Sequence, residues 1–473
     1  MSEDSAGQTN VSRRSLLWVA GGVVVAGAGA AAWLSESPSS PGANGGSGST
    51  AAPSPLRTTA PQAKWSTTLG SEVVYNTIVH GSNVFVIAYA TTASGADAGH
   101  CVVYAVDAEH GGLLWHQPFP GDSPSLSVAT DDAILVTNYF DSSSGSQTDE
   151  SLYAYGTAKG SPAWQTTAAY LFGPVSVGPS VYLVTSDSGA GASQLQALDA
   201  ATGSNRWNPI TFDSGTTPGT PLASGGKVYV PVSNSAESGG YVAAYDGQTG
   251  AKLWTSPNIA GTSIFGVNID DSFLVCVTPV ADNNVYCGID LKSGAVAWQT
   301  TATFGENSGS LGDPAHGVFL IGDTPGKATA YTFNTVYCLS SRTGKTDWTF
   351  APKDQIIGDC VIASDVVYVS SYPHGNSGTA ALTALALDTG IQRWSTRLSG
   401  STSTTAAVLN GTVYVADTGG GGSVLYALNA ATGSILWRLP VAGTAVGITL
   451  SGSTLYVHTS RTGGSIVVSA YDL

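Results

Sequence analysis

LDAATGSNRW, residues 198–207, reads at first as one more polar run in a Ser/Thr/Gly-rich chain. Its grammar is an apolar strand, Asp199, Gly203, and Trp207 four residues after that glycine. It returns as YDGQTGAKLW at 245–254 and as LNAATGSILW at 428–437. Working outward, nine tryptophans recur at spacings of 43 to 50 residues: Trp65, Trp115, Trp164, Trp207, Trp254, Trp298, Trp348, Trp394 and Trp437. A fixed period in this range marks a propeller or a solenoid. From Trp115 onward every one has a glycine four residues earlier, at 111, 160, 203, 250, 294, 344, 390 and 433. Generic β-richness does not produce that coincidence.

Each unit reads as four short strands. The third strand precedes the glycine, as in VVYAVDA (102–108) and VLYALNA (424–430). A second strand lies before it, as in KVYVPV (227–232) or TVYVAD (412–417), and the tryptophan strand is the fourth. The first strand, TAAVL (405–409) in one copy, joins the second through Asn410-Gly411, the strongest two-residue hairpin signal. In the turn before tryptophan, an Asp side chain can bond back to the backbone while Gly takes positive φ. Asp107, Asp199, Asp246 and Asp290 hold the Asp position, and Asn429 and Ser340 can act alike, whereas Gly156 and Ala386 cannot. The motif is a folding device.

The chain ends separate ring from rod. The last copy, closing on SAYDL (469–473), has three strands, and KWSTTL (64–69) is a tryptophan strand without a preceding three. Together they complete one blade and leave no free edge. The expectation is an all-β, closed β-propeller over 63–473, its N- and C-terminal strands sharing one blade. Nine units are counted and nine blades are favoured. Eight is the alternative, with the copy at 298–348 and its TPGKATAYTFN insert (324–334) the one suspected of being displaced.

Hydrophobic residues make up 42% of the 473-residue chain and charged ones only 10%, so a large core is available. The formal charge of −15 offers no basic stripe for nucleic acid or an anionic membrane surface. Cys101, Cys276, Cys287, Cys338 and Cys360 include no CxxC pair and no adjacent pair, which argues against a zinc or redox motif. Cys276 and Cys287 fall on neighbouring strands of one hairpin, open to a cross-strand disulfide, with buried thiols the favoured reading.

The first 62 residues stand apart from the fold. Residues 1–34 are an export signal or membrane anchor, and 35–62 a Ser/Pro/Gly-rich linker. Arg13 and Arg14 precede an uncharged, Gly/Ala-rich stretch at 15–34 and resemble a twin-arginine export signal, with Leu16 in place of the favoured Phe and no following Lys. A general secretory signal is the competing reading. Ala28, Ala30 and Ala32 offer cleavage sites, yet twenty uncharged residues also suffice to cross a bilayer. Either way the remainder lies outside the cytoplasm, secreted or anchored through 15–34. No cysteine lies near the end of this segment for a lipid anchor.

The repeat resembles that of the pyrroloquinoline-quinone-like propellers, shared by quinoprotein dehydrogenases and the BamB-type assembly factor. ALDAATGSNRW (197–207) carries the family pattern whole. The resemblance implies eight blades as the usual number and a blade-docking role for the tryptophans. It also implies, for the enzymes, a vicinal cysteine pair, a stacking tryptophan and calcium-binding carboxylates. The chain has no adjacent cysteines, no C-x-x-C-H haem signature, and no tryptophan left over outside the repeat and the export segment. His80, His100, His110, His116, His316, His374 and His458 form no H-x-H or H-E-x-x-H, and there is no Ser nucleophile elbow. Asp149, Glu150, Glu237 and Asp282 lack a calcium-site spacing. No catalytic, cofactor or metal residue is therefore expected. The reading is an exported, non-catalytic, monomeric scaffold or sensor, BamB-like, binding an unidentified protein through one loop face. Its membrane contact would be confined to the N-terminal segment. The alternative is a quinone- or ligand-binding enzyme that uses the central funnel.

Overall fold

The computed structural model describes residues 56–90, 101–119, 123–139, 150–186, 192–234, 239–261, 263–280, 283–302, 309–313, 317–322, 334–353, 355–373, 378–419, 422–461 and 464–473. These residues form antiparallel four-stranded units and no helix. In chain order, blade 1 spans 72–119, blade 2 123–168, blade 3 170–211, blade 4 216–260 and blade 5 265–302. Blade 6 spans 309–350, blade 7 355–397 and blade 8 402–441. Blade 9 is composite: Thr444–Ser451, Thr454–Ser460 and Ser465–Asp472 are completed by residues 63–71. Nine units are thus present among the described residues, including the suspect copy, whose strands Gly309–Asp313, Gly317–Gly322, Thr335–Leu339 and Thr346–Phe350 pair in the ordinary order.

The terminal pairing is explicit. Trp65 lies opposite Ala470, Ser66 opposite Ser469 and Thr68 opposite Val467. The same strand, Ala63–His80, then shifts partner and becomes the innermost strand of blade 1, Thr77 facing Val86 and His80 facing Asn83. One 18-residue strand therefore closes blade 9 and opens blade 1.

Alternation along each blade feeds two different cores, one against each neighbour. Tyr456 packs with blade 1 residues Val86 and Val102, whereas the adjacent Val457 packs with blade 8 residues Trp437 and Tyr414. A side-chain period of two makes every middle strand apolar on both faces, so segments such as Val84–Ala88 are wholly buried. Local departures occur, among them a split outermost strand in blade 4 (Lys252–Thr255 and Ile259–Ala260). Trp207 sits in a bend, with pairing resuming only at Ile210–Thr211, and the innermost strands of blades 4 and 8 are each broken in two.

Candidate functional site

The repeat residues meet at joints between blades. The indole N–H of Trp115 donates to Thr157 O of the next blade at 3.0 Å, Trp164 to Ala200 O at 2.9 Å and Trp348 to Leu387 O at 2.9 Å. Trp207, Trp254, Trp298 and Trp394 donate likewise to Gly247, Leu291, Ser341 and Ala430. Trp65, supplied from the N-terminal side, donates to Ala108 O of blade 1 at 3.1 Å. Trp437 packs on blade 9 through Tyr471 and Ile448. The contacts run around all nine units without a break. At the eight joints before Trp437 a large apolar ring is covered and its one donor satisfied.

The glycine's purpose was only half legible in the sequence. All eight repeat glycines have positive φ, as Gly111 (76°) and Gly203 (67°) illustrate. Each also forms the floor under the indole of the preceding blade. A Cβ on Gly111 would sit 2.5 Å from the Trp65 ring, and one on Gly433 2.6 Å from the Trp394 ring. The glycine thus serves a tryptophan 46 residues earlier, in the case of Gly111, rather than the one four residues later. The recurring turn does not depend on its Asp: Gly160 N reaches Gly156 O, and Gly390 N reaches Ala386 O, as Gly203 N reaches Asp199 O. Where Asp is present it accepts from the turn. The Thr249 hydroxyl and amide hold the Asp246 carboxyl below the usual range, as those of Ser293 do for Asp290.

Buried polar groups gather in the last three blades. Asp359 stands seven residues before the second strand of blade 7, and Thr405 seven before that of blade 8. The two meet across the seam, Thr405 Oγ1 donating to Asp359 Oδ2 while Cys360 N donates to Oδ1. Burial pushes the Asp359 carboxyl up to about 6, against the pull of those two donors. Asp417, 1% exposed, accepts from the amides of Ser399, Gly400 and Val424 and from the hydroxyls of Ser399 and Tyr426. It pins the 398–401 connection, chiefly through Oδ2. His458 is buried on the second strand of blade 9, and burial holds its imidazole down at about 4.

The other histidines described are surface groups or stacked rings. His80 pairs with Asp131 at 2.9 Å, His110 with Asp107 at 3.2 Å, and His116 stacks on Tyr104. His100, His316 and His374 lie outside the described residues, as do Asp149, Glu237, Asp282, Arg13 and Arg14. Glu150 Oε2 accepts from Leu171 N, tying blade 2 to blade 3. Among the described residues no group of three metal-ligating side chains occurs. All five cysteines are buried thiols. Cys276 lies directly opposite Cys287, four steps from the Leu291 N to Ser272 O bond, which puts them at a hydrogen-bonded pair. Cα atoms at such pairs are about 5.5 Å apart, wider than at the alternate sites. Cys276 Sγ is directed to Cys287 O at 3.7 Å.

These joints, repeated at one register around the ring, agree with the sequence comparison. The chain matches the family described as outer membrane protein assembly factor BamB over residues 99–263, 221–335, 281–425 and 379–472. It belongs to this family of PQQ-like repeat proteins. No curated protein matches the sequence. Solved structures similar to the chain include BamB from Moraxella catarrhalis, 16% identical, covering 87% of this chain and 100% of that one, TM-score 0.42. Quinohemoprotein alcohol dehydrogenase ADHIIG from Pseudomonas putida HK5 is 15% identical, covering 89% and 78%, TM-score 0.47. Sqt1 from Saccharomyces cerevisiae is 9% identical, covering 88% and 100%, TM-score 0.48. Overlaps of this extent carry no functional information. Among the described residues no helix is long and apolar enough to cross a membrane, and 15–34 lies outside them.

Proposed function

We propose that this BamB-type propeller acts outside the cytoplasm as a non-catalytic scaffold or sensor that binds a protein partner through one face. The observation that carries this is an asymmetry between the two ends of the blades. Connections from first to second strand are two or three residues in all nine units. Those from second to third strand range from two residues to twelve. A scaffold that keeps one face uniform and varies the other has its recognition surface on the variable face.

The linker supports the same reading. Leu56 lies 3.6 Å from the Cβ position of Gly411, in a first-to-second turn, and Arg57 donates to Asp472 O, at the end of the third strand of blade 9. Those two turn types share a face, since Ala430 N bonds Gly411 O and Leu473 N bonds Ser453 O. A tether through 15–34 would then leave from the uniform face and turn the variable face away from the membrane. The test is proximity labelling in intact cells, with connections 91–100, 140–149 and 323–334 each replaced by Asn-Gly. Labelling of one partner should be lost while the melting midpoint holds. Unaltered labelling would overturn the reading, as would a perturbed quinone absorbance with dye reduction on adding quinone and calcium. Export is tested separately: changing both Arg13 and Arg14 to Lys should leave the chain in the cytoplasm if the signal is of the twin-arginine kind.

A further inference from the structure

The seam where blade 9 meets blade 1 differs from its neighbour in one respect. Thr77 Oγ1, Thr449 Oγ1 and His458 Nδ1 are all buried and have no hydrogen-bond partner among the described residues. Strand parity places all three on that seam. Thr449 lies opposite Tyr456, and His458 follows Tyr456 by two residues; Tyr456 packs against blade 1. Thr77 lies opposite Val86 and two residues before Val79, and both of those pack against blade 9. Height along the blade agrees as well. Thr77 stands six residues before its second strand, Thr449 five before its own, and His458 four after that strand's first residue.

The corresponding positions at the seam of blades 8 and 9 are Ile448, Ala407 and Ala416, all apolar. Gly447, opposite His458, makes room for the imidazole: a Cβ there would sit 2.5 Å from Nε2. Three buried, unpartnered polar atoms on one seam at one level of the blade cost free energy unless something bonds to them. We infer that the seam of blades 9 and 1 holds an internal site for a small neutral hydrogen-bonding molecule, water in the purified protein, lined by Thr77, Thr449 and His458. The buried hydrophobic side chains of that seam include Val86, Val102, Val468 and Tyr456, and among the described residues no buried carboxylate or cation lies in blade 9 or blade 1 to balance an ion. A neutral imidazole offers one donor and one acceptor, and each Thr hydroxyl offers both. Two to four partners are what a buried water takes.

The test uses the full chain with Thr77→Val and Thr449→Val, singly and together, and Thr383→Val as control. Thr383 already bonds to Ser395, so its change should leave the seam intact. Oxygen-17 magnetic relaxation dispersion counts slowly exchanging water molecules. The double variant should lose at least one, and each single variant should have a lower denaturant midpoint, because a hydroxyl that bonds water is being removed. An unchanged count with an unchanged or raised midpoint would overturn the site, since an isosteric apolar group is neutral or stabilising where a hydroxyl is orphaned. Should the variants fail to fold, a high-resolution crystal structure of the wild type decides: ordered density within hydrogen-bond distance of His458 Nδ1 is expected, and bare apolar contact there refutes it.

Discussion

Trp394 and Trp437 occupy equivalent places in successive blades, and their surroundings differ in origin. Each leans on a tyrosine of its own blade, Tyr368 at 5.9 Å and Tyr414 at 6.0 Å, with similar tilt. Under Trp394 lies Gly433, and its N–H meets Ala430 O. Under Trp437 there is no repeat glycine. Its cluster instead takes in Tyr471, Leu473 and, from the N-terminal side, Ala60. The eight glycine-floored joints are written twice over in the repeat, once as tryptophan and once as the next unit's turn. The ninth is assembled from segments that no repeat grammar relates.

The largest expected effect tests whether the joint made by the N-terminal strand is equal to the others. Trp65 is 9% exposed, bonds to Ala108 O and rests on Gly111. Trp65→Ala should therefore cost about 3–5 kcal/mol, the range for removing a buried Trp. A denaturant melt reads it. A midpoint equal to wild type would make the terminal pairing idle and the array effectively open.

Next is a pair of opposed titrations on two polar seams. His458, held down at about 4 from 6.5, contributes stability that is present above pH 6.5 and lost as pH falls through about 4. Asp359, raised from 3.8 to about 6, contributes stability that is present below pH 3.8 and lost as pH rises through about 6. Each shift corresponds to about 3 kcal/mol, and between pH 4 and 6 the slopes cancel. Asp359→Asn should unmask the His458 slope, so that the variant gains stability with pH across that window. His458→Leu should unmask the opposite slope. Parallel pH profiles for wild type and both variants would refute the assignment.

The parts of the fold legible in the sequence were those the chain repeats. Glycine four before tryptophan, Asn410-Gly411 and the three strands before Asp472 are local patterns, and each appears as a turn or pairing at its expected place. The Asp359–Thr405 contact was illegible, because neither residue belongs to a recurring motif and the contact exists only once two blades are side by side. His458 was visible as a histidine in an alternating strand, but its lack of a partner depends on Gly447, Thr77 and Thr449 together. Leu56 to Gln62 read as linker because Ser/Pro/Gly composition reports the absence of a core. Composition is silent about a short segment lying on a core made by others.

The glycine floor is tested against a glycine that shares its backbone but lacks its burden. Gly433 and Gly452 have φ of 70° and 56°, so Ala is strained at both. A Cβ at 433 meets the Trp394 ring at 2.6 Å, while at 452 nothing lies within 4 Å. Gly433→Ala should be worse than Gly452→Ala by about 1–3 kcal/mol, the cost of overpacking. Equal costs in thermal melts would reduce the repeat glycine to its φ.

The smallest effect concerns the ninth joint. Pro61 is buried, Ala60 belongs to the Trp437 cluster, and Lys64 lies 3.8 Å from Asp472. Replacing 56–61 by a Gly/Ser run in the full chain removes this cover but leaves the pairing of 63–71 intact. The loss should be about 1–2 kcal/mol, because Pro61 is one small buried ring while Leu56 and Ala60 are only partly buried. Magnitude alone would not locate it, so the replacement is combined with Trp437→Ala and, separately, with Trp394→Ala. Residues in contact couple in such cycles and distant ones add. The replacement should be less costly once Trp437 is already gone, and equally costly with or without Trp394. Additivity with both would mean that 56–61 holds nothing at this joint, and that Tyr471 and Leu473 alone complete the place a glycine turn fills elsewhere.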